Sequence, residues 1–141
     1  MTFRYSTPVR FADVDHAGIV YYPRFSHLFH IAFEELWRAR IGPLAYRELI
    51  DRERLGFPAV RAECDFKAPL RFGDTAEIEL SVSRLGTTSI TFRYRVHRAE
   101  PPTLCAEGLV VCAVVDLTRF VPIVVPDKVM AMLADLVEPP D

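Results

Sequence analysis

The stretch PRFSHLFHIAFEELWRARI, residues 23–41, decides how the rest of the chain is read. Its apolar residues Phe25, Leu28, Phe29, Ala32, Phe33, Leu36 and Trp37 recur at steps of three and four, which lays them on one wide face of a helix. Pro23 suits the first helical position, because the N–H it lacks is one that a helix start leaves unused. Gly42-Pro43 stops the helix. The spacing therefore predicts a helix from Pro23 to about Ile41 whose apolar face must be covered. A second short helix is predicted from Pro43 to Arg54, closed by Gly56 and Pro58.

The flanks supply the cover. Val60 to Pro69, Ala76 to Leu85, Ser89 to Arg98 and Leu104 to Leu117 each favour extended structure, and the turns Gly73-Asp74, Gly86-Thr87-Thr88 and Glu100-Pro101-Pro102 separate them. They read as a meander of four long strands. Thr91, Arg93 and Arg95 alternate with Phe92, Tyr94 and Val96, giving that strand a wet and a dry side. Phe3 to Phe11 reads as a first strand, near an edge because Pro8 cannot donate to a ladder. Phe120 to Val125 adds strand character, and Asp127 to Leu136 reads as a short helix capped by Asp127. One helix face buried on one curved antiparallel sheet satisfies both periods, which is an α+β arrangement. A second copy is a common cover for the exposed strand edges and the opposite sheet face, so a homodimer at least is expected.

Composition agrees with a single domain spanning residues 1–141. Half the residues are hydrophobic, 26% are charged and the mean hydropathy is +0.13, as in a soluble globular chain with no apolar run long enough to span a bilayer. The start, MTFRYSTPVR, places charge and proline where a signal peptide needs an apolar core, so a cytoplasmic location is expected. A net charge of −2 and a pI near 6.1 give no basic field for nucleic acid, and no membrane partner is indicated. Seven of the 17 cationic residues nevertheless fall between Arg61 and Arg98, so a local anion site is possible. Cys64, Cys105 and Cys112 are odd in number, lack a CxxC pair and lie in apolar strands, which predicts three buried reduced thiols.

Ahead of the helix stands FADVDHAGIVYYPRF, residues 11–25. It sets two carboxylates, Asp13 and Asp15, beside a helix start where N–H groups lack partners and the helix dipole is positive. With Pro23 donating nothing, the N–H of Tyr22 or Arg24 is available to a developing oxyanion. Gly18 permits a turn with positive φ, or is simply a loop glycine. A carboxylate and an oxyanion donor converging on one carbonyl suit acyl transfer. The bland alternative is that Asp13 and Asp15 only bond their own turn. No GxSxG stretch and no HExxH pattern is present, so a serine hydrolase and a metal site have no support. His27 and His30, three apart on the helix with Glu34 following, do not amount to a ligand set.

ADVDHAGIVYYPRF together with FKAPLRFGDTAEIEL, residues 66–80, resembles the 4-hydroxybenzoyl-CoA thioesterase family of hotdog-fold proteins, in the same element order over nearly the whole chain. The resemblance implies a long central helix wrapped by a curved antiparallel sheet of five to six strands, paired into dimers and often homotetramers with active sites at the subunit interface. It implies hydrolysis of an acyl-CoA thioester, in which CoA belongs to the substrate and no separate cofactor is needed. Asp15 takes the place of the family's catalytic carboxylate. The resemblance also implies that the residue in the Tyr22 position lends its backbone N–H to the thioester carbonyl.

The departures bear on the acyl group. His30 stands where aromatic-specific members carry an Asp that accepts a ring hydroxyl; it either bonds a hydroxyl or carboxylate, or is a core-edge histidine paired with Glu34. Ser26 and Trp37 share its side of the helix and are candidate substrate contacts with Gly18. The turn Gly86-Thr87-Thr88 lacks the basic residues that some relatives set against CoA phosphates, leaving Arg61, Lys67, Arg71 and Arg84 as alternative cations, or as solvated strand residues. His16 replaces the proline or small residue common in relatives, and either tunes Asp15 or occupies an exposed turn. A hotdog hydratase would carry a histidine at position 20, which is Val20 here. Thioesterases for aliphatic acyl-CoA and a noncatalytic acyl-CoA or acyl-carrier binding module remain as alternatives.

Overall fold

The structure, a computed structural model, describes residues 1–140. Strand β1 (Phe3–Pro8) leads through a 3-10 turn (Phe11–Asp13) and a tight hairpin into helix α1 (Arg24–Arg40), followed by helix α2 (Ala45–Asp51). Then come β2 (Leu55–Gly56), β3 (Ala59–Phe66), β4 (Thr75–Leu85), β5 (Ser89–Arg98), β6 (Thr103–Ala113), β7 (Val115–Asp116), β8 (Val121–Pro122) and α3 (Asp127–Leu133). Phe25, Leu28, Phe29, Ala32, Phe33, Leu36 and Trp37 are all buried, which is the apolar face read from the helical period. They pack on the dry side of the sheet, where Ile78, Leu80, Val82, Phe92, Tyr94 and Val96 point inward. The layout is the α+β helix-in-sheet arrangement, with a five-stranded antiparallel sheet and a small three-stranded one.

Strand order corrects the expected four-strand meander. The large sheet runs β1-β4-β5-β6-β3, so only β4, β5 and β6 follow one another, while β3 crosses to the far edge and pairs with β6. Strand β1 lies at the other edge, as Pro8 requires. Seven of the eight residues of β3 are exposed, although Val60 and Phe66 are large and apolar. The last helix also differs. Pro126, not Asp127, is its N-cap, Asp127 lies in the first turn, and no side chain caps the end.

The wet side of β5 is less wet than its polarity suggests. Arg93 and Arg95 both pair with Glu107 on the neighbouring strand, and Arg93 Nε lies 2.8 Å from Glu138 of the C-terminal segment, whose carboxylate also accepts from Ser81 Oγ. Glu138 N–H donates to the Val82 carbonyl, which ties the tail to the back of the sheet. Inside, Gly108 lies under the Phe29 ring, and a Cβ there would stand 2.5 Å from Phe29 Cε2. The glycine thus sets how closely α1 approaches the sheet. Among the described residues no helix is long and apolar enough to cross a membrane.

Candidate active site

The site is built where the hairpin, the start of α1 and the chain after β3 meet. Val14 pairs with Val20, Asp15 N–H donates to the Ile19 carbonyl at 3.0 Å, and Gly18 closes the tip with φ +81. That left-handed conformation is the one the sequence reserved a glycine for. Ile19 in turn bridges Arg71, and Val20 N–H donates to Leu70, so the hairpin is stitched to the β3–β4 connection.

Asp13 and Asp15 serve different ends. Asp13 is buried: its carboxylate accepts from Arg24 Nη2 at 2.8 Å, from Arg24 Nε at 3.2 Å and from the Arg10 N–H at 2.8 Å, locking the 3-10 turn to the first turn of α1. It is spent on structure. Asp15 is exposed at the head of the hairpin; one oxygen accepts from the Ala17 N–H at 2.8 Å, and the other is free of protein partners among the described residues. The turn-bonding role and an outward-facing oxygen therefore coexist in one side chain. His16 occupies the exposed tip.

At the helix start Pro23 is the N-cap and not the first helical residue as predicted, and no side chain caps it. Arg24 N–H is engaged by the Tyr21 carbonyl at 2.8 Å and Phe25 N–H by the Tyr22 carbonyl at 3.2 Å. Of the two candidate donors, then, only the Tyr22 N–H makes no protein hydrogen bond among the described residues. Tyr22 and Asp15 line the same hollow of about 560 Å³, together with Phe25, Phe66, Leu70 and Arg71. The rings of Tyr22 and Phe25 both lie edge-on to Phe66, which gives this hollow an aromatic wall.

A second hollow, of about 310 Å³, continues one turn further along α1 between the helix and β3. Ser26 and His30 line it with Phe29, Phe33, Tyr46 and Tyr94. His30 is exposed, pairs with Glu34 at 3.3 Å and lines the hollow. The structure does not bring Trp37 there. It lies fifteen residues beyond Tyr22, roughly 22 Å at a helical rise of 1.5 Å per residue, and walls a separate hollow beside α2.

The four candidate cations divide. Arg71 lines the Asp15 hollow, and Lys67 sits between its lining residues Phe66 and Ala68. Arg61 falls on the face of β3 opposite Ala62 and Phe66 and pairs with Glu63, so it points away from both hollows. Arg84 lies at the far end of β4 from Arg71. Arg93 and Arg95 are consumed by the ion pairs of the sheet's back.

The thiols are poor nucleophiles. Burial, then the nearby Asp65 carboxylate, pushes Cys64 up to about 11, and burial pushes Cys112 up to about 11 and raises Cys105. Cys64 is only half-buried, which corrects the expectation of three buried thiols. Among the described residues no group of three or more His, Cys, Asp or Glu side chains is placed to hold a metal ion.

Residue-by-residue reading missed Tyr46, Phe66, Tyr94 and Cys112 as lining groups. A tyrosine on the dry side of a strand was the available signal, since a buried phenol ordinarily needs a partner for its hydroxyl.

Comparison with known proteins places this geometry in context. A family model described as the thioesterase-like superfamily matches residues 9–133. The acyl-CoA thioester hydrolase YbgC of Escherichia coli is 32% identical over 134 residues, covering 92% of this chain and 93% of the relative. A 1,4-dihydroxy-2-naphthoyl-CoA hydrolase of Synechococcus elongatus is 31% identical over 110 residues, covering 78% of this chain and 80% of the relative. The crystal structure of Slr0204, a 1,4-dihydroxy-2-naphthoyl-CoA thioesterase from Synechocystis, superposes with a TM-score of 0.86 at 27% identity over 99% of this chain and all of that one.

Proposed function

This chain belongs to the thioesterase-like superfamily, and from that premise we propose that it hydrolyses an acyl-CoA thioester to a free acid and CoA with Asp15 and the Tyr22 N–H as its catalytic groups. The observation that carries the reading is the single hollow lined by both Asp15, which keeps one oxygen free, and Tyr22, whose N–H is unengaged ahead of α1. A thioester carbonyl set there accepts from the Tyr22 N–H, which stabilises the charge that grows on oxygen as the acyl carbon becomes tetrahedral. Asp15 acts on that carbon, either directly as nucleophile or by taking a proton from an attacking water. The thiolate of CoA leaves without metal or cofactor. Arg71, which lines the hollow, and Lys67, adjacent in sequence to its lining residues Phe66 and Ala68, favour the anionic end of CoA.

The same reading includes assembly. Strand β3 leaves a hydrogen-bonding edge and exposed Val60 and Phe66 beside both hollows. Pairing of two β3 strands would extend the sheet, cover these residues and close the hollows from the outside. The protein acts as a homodimer at least, with pairing of dimers into homotetramers implied by its resemblance to the family. A ring-bearing acyl group is supported by the aromatic walls and by the relatives' named substrates.

Thiol release followed with a chromogenic thiol reagent, over benzoyl, hydroxybenzoyl, phenylacetyl and aliphatic thioesters, tests the activity. Asp15→Asn is expected to lower kcat by about a hundredfold or more while leaving the melting temperature near that of the parent. Near-full hydrolysis by the variant would remove Asp15 from its role. Binding of the thioesters without turnover of any of them would make the protein an acyl-CoA binding module.

A further inference from the structure

The second hollow holds polar groups that the thioesterase chemistry leaves unused. Tyr94 comes up from β5, its ring stacked on Phe29 at 4.7 Å and 12°, and the residue is 97% buried, being 3% exposed. Its hydroxyl has no hydrogen-bond partner among the described residues, yet it is not among the side-chain atoms sealed without a partner in the interior. It opens on the hollow. Tyr46 from α2 and Cys112 from β6 line the same space, and neither phenol nor thiol bonds to another side chain. Burial, then the mutual influence of Cys112 and Tyr46, keeps the Tyr94 phenol protonated, and burial likewise holds Tyr46 and Cys112 in their protonated forms. Three donors thus face the hollow without a hydrogen-bond partner among the described residues, and buried donors are costly to leave unpaired.

The space also has a shape preference. Phe29, Phe33, Tyr46, Phe57 and Tyr94 present ring faces and edges to it, which suit a flat ring better than a flexible chain. From Tyr22 to Ser26 and His30 the helix advances about 6 and 12 Å at 1.5 Å per residue. A carbonyl held at Tyr22 therefore directs the remainder of a planar acyl group towards Tyr94.

We propose that Tyr94 is a specificity-determining residue, whose hydroxyl, with Tyr46 and Cys112 beside it, bonds an oxygen substituent on the distal side of a ring-bearing acyl group. This inference rests on the thioesterase reading for the position of the carbonyl. The acceptor is a ring hydroxyl or keto oxygen, because a carboxylate would bring an unpaired charge into a pocket of neutral donors. His30, tied to Glu34, borders the same substituent from the helix side.

The test is Tyr94→Phe, which keeps the ring and its stack on Phe29. Thiol-release kinetics are compared on matched thioesters differing by one ring oxygen: benzoyl-CoA with 4-hydroxybenzoyl-CoA, and phenylacetyl-CoA with 4-hydroxyphenylacetyl-CoA. The parent is expected to prefer the oxygenated member in at least one pair. The variant is expected to lose about tenfold more in kcat/KM on that member than on its partner, a difference carried by KM and equivalent to about 1.4 kcal/mol. Tyr46→Phe, on the opposite wall, shifts the ratio in the same direction. An unchanged ratio in Tyr94→Phe, or an equal loss on both members, overturns the proposal by leaving Tyr94 a packing role. If the parent hydrolyses none of these thioesters the thioesterase reading falls, and calorimetric binding of the same pairs then decides the role of Tyr94: equal affinity ratios for parent and variant overturn it.

Discussion

Asp13 and Asp15 stand two residues apart and have opposite fates. Asp13 turns inward to Arg24 and the Arg10 N–H, whereas Asp15 keeps an oxygen for the hollow. Asp13→Asn keeps the shape but removes the charge from a largely buried pair, and hydrogen bonds to a charged group contribute about 2 kcal/mol. The variant is expected to melt several degrees lower and to lose kcat as the hairpin presenting Asp15 loosens. Thermal unfolding and thiol-release kinetics check both, and an unaltered melting temperature would show that Arg24 finds another partner. Sequence reasoning separated the two carboxylates by resemblance to the family, because spacing alone put both in one turn. The free N–H ahead of α1 was legible up to a choice between Tyr22 and Arg24. What separates them is the Arg24 N–H bonding back to Tyr21, a turn-level contact with no sequence signature.

At the scale of elements, α1 was readable because a seven-residue apolar face leaves a period of 3.6 in the sequence, and the structure differs by a single residue at each end. Strand existence was equally plain, but strand order was not. Nothing in the alternation of Val60 to Pro69 says that its ladder partner is β6 and not the next strand in sequence, since period 2 specifies faces and not neighbours. The tail shows a further limit. Glu138 lies after the last predicted helix, and its pairing with Ser81 and Arg93 is visible only in three dimensions. Burial pushes the Glu138 carboxyl up, but the Ser81 and Arg93 hydrogen bonds and the Arg93 and Arg95 charges outweigh it and hold it below its ordinary value. The tail contact therefore stabilises the fold above the unfolded pKa near 4.5 and is lost as pH falls through the lower folded value. Glu138→Gln is expected to remove that share of the acid sensitivity, seen as a flatter dependence of melting temperature on pH between about 3 and 5. A variant as acid-sensitive as the parent would place the effect elsewhere.

For the whole molecule, the hollows lie against β3, the strand that is most exposed and that sequence order misplaced. Assembly and activity are then read from the same edge. Light scattering on the purified protein is expected to give a dimer or tetramer mass, and Val60→Asp, which puts a charge on that edge, to shift it towards monomer with a parallel loss of kcat/KM. A parent that is monomeric at micromolar concentration would separate the site from any second copy. Fold class was within reach of the sequence because it rests on local patterns; the groove between α1 and β3 was not, because it exists only once β3 has crossed the sheet.

That crossing carries a thermodynamic signature of its own. A ladder edge running from Ala59 to Phe66 with its outer amides unsatisfied is stabilised by mass action when a partner arrives. Dilution should consequently lower the melting temperature, by an amount that grows with the logarithm of the fold dilution, and refolding should include a second-order phase that slows as the chain is made scarce.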